Sequence, residues 1–185
     1  TFLDFFTRNF GQFPWIEEKL GLVNTPYFGM EHQTMIAYGN DYKKNEKGYD
    51  FLLFHEMAHE WWGNYLSVSD WSDFWIHEGF AVYCEALYIE EKYGHEAYNS
   101  FFTKNISKKI SLSKPIVLER NSTMSQVFGL DPYYKGAFVL HMLRYLVGDE
   151  SFFKILKDLL HSKKHLPNNQ ITTSDFIDIV HKEIG

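Results

Sequence analysis

A single cysteine, Cys84, serves the whole 185-residue chain, so no internal disulfide and no cysteine-based zinc cluster can hold it together. Cys84 sits in the apolar run Ala81-Val82-Tyr83-Cys84 and reads as a small core filler. The fold must rest on packing, and 18 % of the residues are Phe, Trp or Tyr, enough for a large buried core and too many for a disordered chain. Lys and Arg number 18 against 24 Asp and Glu, a net charge of −6, so the basic footprint expected of a nucleic-acid partner is absent. No run of 18 apolar residues exists, which predicts no membrane-spanning helix. The first residues, Thr1-Phe2-Leu3-Asp4, contain neither an initiator Met nor a basic leader, and the chain reads as a piece of something longer, with nothing that assigns a compartment. No repeat or long linker divides it, so residues 1–185 read as one domain.

Periodicity predicts a helix over 1–10 closed by Gly11, then a strand over 30–38 with Glu31, Gln33, Met35 and Ala37 on one face. A polar loop at 39–48 leads to a helix over 51–62, capped by Asp50 and ended by Gly63-Asn64. Further helices are expected over 73–93, ended by Gly94, over 134–147, stopped by Gly148, from Asp149 or Ser151 to His161, and from a Ser174 cap to Glu183. The fold class is α+β, mostly α. The strand at 30–38 has no evident partner elsewhere in the chain.

With cysteine excluded, a metal site must come from the nine histidines and the carboxylates. His55-Glu56-Met57-Ala58-His59 places two histidines four positions apart on a predicted helix. Four residues turn a helix through about 400°, so both imidazoles leave one face and suit a single tetrahedral zinc. Glu56, about 100° round from His55, can reach a water on the metal rather than the metal. Separated from His59 by eighteen intervening residues, Glu78 opens the next helix and supplies a third ligand, leaving the fourth position open as in catalytic zinc sites. Glu85, two turns beyond Glu78 on the same face, is placed to accept an N–H from a ligand histidine. Glu60 is expected in solvent, and His77 turned away from the metal. Trp61, Trp62, Trp71 and Trp75 are expected to pack in the core, and His32, His95, His141, His161, His165 and His181 lack ligand spacing.

The segments His55-Glu56-Met57-Ala58-His59-Glu60-Trp61-Trp62-Gly63-Asn64 and Trp75-Ile76-His77-Glu78-Gly79-Phe80-Ala81 resemble the aminopeptidase N family of gluzincin metallopeptidases, which includes alanyl aminopeptidases and the bifunctional leukotriene hydrolase. Phe28-Gly29-Met30-Glu31-His32 is similar to the family's Gly-Ala-Met-Glu-Asn motif, with Phe28 for the first Gly and His32 for the Asn. Tyr133-Tyr134-Lys135-Gly136 matches its Tyr-x-Lys-Gly. The resemblance covers nearly the whole chain. It implies a thermolysin-like catalytic domain lacking some upstream strands, flanked by other domains in a longer parent, and one Zn2+ on His55, His59 and Glu78. It further implies Glu56 as general base, Tyr133 at the oxyanion, and Gly29, Met30 and Glu31 around the substrate's free α-amino group. The implied activity is hydrolysis of the N-terminal bond of peptides with a free N-terminus. Alternatives are epoxide hydrolysis of the leukotriene-hydrolase kind, or a silent scaffold in this piece alone.

Overall fold

In the computed structural model, which describes residues 1–161 and 169–185, the helices carry the mass and a small sheet lies along one side. The fold is α+β and mostly α. Helix α1 (Phe2–Phe10) starts at Thr1, whose hydroxyl accepts the Asp4 N–H at 3.2 Å, and ends at Gly11 as expected. It buries Phe5, Phe6 and Phe10, with Phe6 stacked on Trp61 at 5.2 Å and 21°.

The expected strand over 30–38 is two strands. β2 (Gly29–Met30) and β3 (Met35–Tyr38) pair antiparallel, Gly29 opposite Tyr38 and Met30 opposite Ala37, with a reverse turn between them. The turn closes because Met35 N–H returns to the His32 carbonyl, Thr34 adopts φ 57°, and the Thr34 N–H reaches the Glu60 carboxylate at 2.8 Å. Glu31 and Gln33 therefore do not share a strand face with Met35 and Ala37. The missing partners lie in the chain itself: β1 (Gly21–Asn24) runs parallel to β3 on its other edge, giving the order β1-β3-β2. β1 is short and exposes Leu22 and Val23, which leaves little alternation to read.

Helix α2 (Phe51–Ala58) is capped by Asp50, whose carboxylate accepts the Leu53 N–H. It stops four residues before the expected Trp62, because Gly63 takes φ 135° and the chain from His59 folds into successive turns. β4 (Ser67–Val68) pairs parallel with β5 (Gln170–Ile171), across a hundred residues of chain. A 3-10 turn, Trp71–Asp73, precedes helix α3 (Trp75–Tyr93), which thus starts two residues later than expected. Trp71 is 44 % exposed rather than in the core, whereas Trp61, Trp62, Trp75 and Cys84 are buried. α4 (His95–Ser100) and a π-helical turn, Phe101–Ile106, follow, both unforeseen, then the short α5 (Met124–Val127).

α6 (Leu130–His161) begins before the expected Tyr134 and breaks where expected, at Gly148. α7 (Thr173–Ile184) is capped by Thr172 with Asp175, two positions ahead of the expected Ser174. His165 lies outside the described residues. Buried Asp73 receives the Thr173 N–H at 3.1 Å, its hydroxyl at 2.6 Å and the Arg120 guanidinium, while Trp75 Nε1 donates to the same Thr173 hydroxyl at 2.8 Å. These bonds tie the entry of α3 to the start of α7.

Gly148 breaks α6 at φ 79° and ψ 167°, a conformation that side chains disfavour. Gly148→Ala should cost about 1–3 kcal/mol of unfolding free energy. Urea titration measures it, and an unchanged midpoint would contradict the strain argument.

Candidate metal centre

His55 lies within α2 and His59 caps its C-terminal end, so their rings lie 4.9 Å apart, 79° between planes. Glu78 enters from the first turn of α3. The Nε2 atoms are 3.2 Å apart, and Glu78 Oε2 lies 3.2 Å from that of His55 and 3.5 Å from that of His59. A tetrahedral ion about 2.0–2.1 Å from each donor would separate the donors by about 3.3–3.4 Å. The triangle fits zinc.

The outer ring nitrogens support the same reading. His55 Nδ1 faces Glu85 Oε1 at 3.0 Å and His59 Nδ1 faces the Trp62 carbonyl at 2.9 Å. Both partners are acceptors, so each Nδ1 carries a proton and each Nε2 is turned toward the centre. The chain reversal after α2 thus delivers the carbonyl that orients His59.

The local field favours a cation at the centre. Burial opposes charging His59, yet Glu78 outweighs it and lifts the imidazole to about 9. Burial likewise opposes charge on His55, but Glu78 and Glu85 hold it well above its ordinary value. Burial pushes the Glu78 carboxyl up, and the two histidines more than reverse this, keeping it far below the usual range.

Around the triangle the other predicted residues assemble. Glu56 is 94 % buried, and burial raises its carboxyl above the usual range. An oxygen from each of Glu31 and Glu56 and a nitrogen of His59 all lie within 4.8 Å of one another. Gly29 is needed for that approach, since a Cβ there would sit 2.6 Å from Glu56 Oε1. Met30 and Phe28 are exposed along the rim. Tyr133 is half-buried with its ring parallel to His55 at 6.1 Å, and burial beside Glu78 keeps the phenol protonated well past its ordinary range. All these side chains line one cleft of about 530 Å³.

Two expectations about neighbours resolve differently. Glu60 is fully buried rather than solvated; burial lifts it to about 7, and it secures the turn between β2 and β3 through Thr34. His77 does turn from the centre, accepting the Val68 N–H at 3.1 Å, and burial lowers it to about 4.

Sequence reasoning missed two positioning features. Asn64 Nδ2 donates to the Glu31 carbonyl at 3.0 Å, fixing the strand end that carries Glu31. Gly79 and Gly136 meet where α3 crosses α6: a Cβ on Gly79 would lie 2.7 Å from the Gly136 Cα, and one on Gly136 2.8 Å from the Gly79 Cα. The contact sits one residue past Glu78 and three past Tyr133. The glycines of His77-Glu78-Gly79 and Tyr133-Tyr134-Lys135-Gly136 were the available signal.

The chain matches the Peptidase family M1 domain over residues 3–185. It belongs to that family. Among M1 relatives, human endoplasmic reticulum aminopeptidase 2 is 30 % identical over 173 residues, 82 % of this chain and 18 % of that protein. Aminopeptidase N of Canis lupus familiaris is 29 % identical over 183 residues, 86 % of this chain and 19 % of that protein. The M1 zinc metallopeptidase of Deinococcus radiodurans superposes on the whole chain with a TM-score of 0.82 at 24 % identity, covering 40 % of the solved chain, and shares the fold. This M1 chain spans about a fifth of the length of the curated relatives it matches.

Helix propensity alone would have Ala replace Gly79 or Gly136 with a gain of about 0.5–1 kcal/mol. The close crossing reverses the sign: Gly79→Ala and Gly136→Ala should each lose about 1–3 kcal/mol to overpacking, read from chemical denaturation.

Proposed function

We propose that residues 1–185 form the catalytic domain of a zinc aminopeptidase, binding one Zn2+ through His55, His59 and Glu78 and hydrolysing the first peptide bond of substrates with a free N-terminus. The observation that carries the reading is the 3.2–3.5 Å donor triangle, with Glu31 and Glu56 opening into the same cleft. Named relatives that are aminopeptidases support it.

Zinc at this triangle would supply Lewis acidity, polarising the scissile carbonyl and lowering the pKa of water to near 7. Glu56 takes the proton from the attacking water and passes it to the departing amine. Its buried setting suits the second half of that duty, because desolvation raises its carboxyl above the usual range and strengthens its hold on the proton. Glu31 pairs with the substrate's α-ammonium and so sets the reacting bond one residue in, with Gly29 and Met30 forming the adjoining wall. Tyr133 stays protonated and can donate to the oxyanion as charge grows there. Glu85 and the Trp62 carbonyl keep both imidazoles in register.

Elemental analysis of the purified chain should find about one zinc, lost in His59→Ala and on chelation; a metal-free wild type after zinc supplementation would refute the centre. Tyr133→Phe should lower kcat by about 10²–10³, the usual cost of one oxyanion donor, with metal content retained. An aminoacyl chromogenic substrate should be cleaved and its N-acetylated form spared, and Glu31→Gln should raise KM for the former. Equal cleavage of both forms would contradict the role given to Glu31.

A further inference from the structure

Charge is unevenly shared among the groups that line the cleft. Glu31, Glu56, Glu78 and Glu85 line it together with His55 and His59, and among the described residues lining the cleft Lys109 is the one Lys or Arg. Lys109 lies three residues past the π-helical turn, whose Phe101, Asn105 and Ile106 also face the cleft, and its N–H bonds the Ile106 carbonyl at 2.9 Å. Its ammonium rests 4.0 Å from the centroid of the Tyr134 ring. That contact holds the charge in place without neutralising it. Lys135, by contrast, is spent on Asp131 at 3.6 Å and on the Lys114 carbonyl at 2.6 Å. No carboxylate among the described residues pairs with Lys109.

Lys109, Phe74 and Phe128 also line a second cavity of about 340 Å³, so the lysine stands where the two spaces adjoin. The groups follow one another from His55: His55 to Tyr133 at 6.1 Å, Tyr133 to Tyr134 at 6.4 Å, then the Lys109 ammonium at 4.0 Å. A peptide of three to five residues, at about 3.4 Å each, is on the scale of this row.

We propose that Lys109 receives the C-terminal carboxylate of a short peptide whose ammonium lies at Glu31, which makes small unblocked peptides the ligand class of the cleft. This rests on the aminopeptidase reading for the polarity of the bound chain. A zwitterionic ligand then matches both ends of the cleft, and blocking its carboxyl removes one of the two charge pairs.

The test compares tetra-alanine with its C-terminal amide, by calorimetric binding to the zinc-loaded chain in a Glu56→Gln background that slows turnover. The acid should bind about fivefold more tightly, the size of a solvent-accessible charge pair. Lys109→Met should make acid and amide equal, while Lys109→Arg and the neighbouring Lys108→Met should keep the preference. In the chain with Glu56 intact, the KM values should show the same ratio with kcat little changed. Equal binding of acid and amide, no binding of either at millimolar peptide, or a preference that survives Lys109→Met would each overturn the proposal. A chain that prefers the acid through Lys109 yet hydrolyses neither peptide would remove the peptidase reading and leave this assignment standing.

Discussion

Helices α3 and α6 cross with no side chain between them at Gly79 and Gly136, and the geometry of the site depends on that approach. α3 carries Glu78 and Glu85, and α6 carries Tyr133, so the depth of the crossing sets how far the phenol stands from Glu78. Packed interiors transmit such spacing because they yield little to local change. The two glycines contribute nothing to the chemistry directly. They remove the bulk that would otherwise hold the two halves of the cleft apart.

A second constraint acts on the imidazoles. Each histidine is placed at both ring nitrogens, at Nδ1 by an acceptor of the protein and at Nε2 by facing Glu78 and the other imidazole. The acceptor for His59 is a main-chain carbonyl supplied by the turn that ends α2, so helix termination and ligand orientation are one event. The acceptor for His55 comes from α3, the helix that also provides Glu78. Pulling α2 and α3 apart would disturb both the approach of Glu78 and the orientation of His55.

The grouping of His55 with His59, and of Glu78 with Glu85, could be read from the sequence because helical spacing is rigid: four residues return a side chain to the same face, and seven return Glu85 to the face of Glu78. The long helices and the break at Gly148 were readable for similar reasons. What escaped was set by distant contacts. The strand over 30–38 folds back because a buried Glu60 takes the Thr34 N–H, and nothing local marks Glu60 as buried. α2 stops early because Gly63 serves a turn, although the residues up to Trp62 are apolar enough to continue a helix. The partners of β3 are four and two residues long, too short to show alternation. Trp71, read as core, is lifted to the surface by the 3-10 turn before α3.

The bonds from Thr173 to Asp73 and Trp75 close a loop of about a hundred residues onto the helix that bears Glu78. Joining ends so far apart along the chain carries a conformational-entropy cost that only later packing repays, and contacts of that separation slow folding. The paired histidines of α2 can form with their helix, but the carboxylate that completes them sits on an element whose entry is secured from the far end of the sequence. Whatever separates Thr173 from Asp73 would therefore also loosen the helix that holds Glu78 against the two histidines.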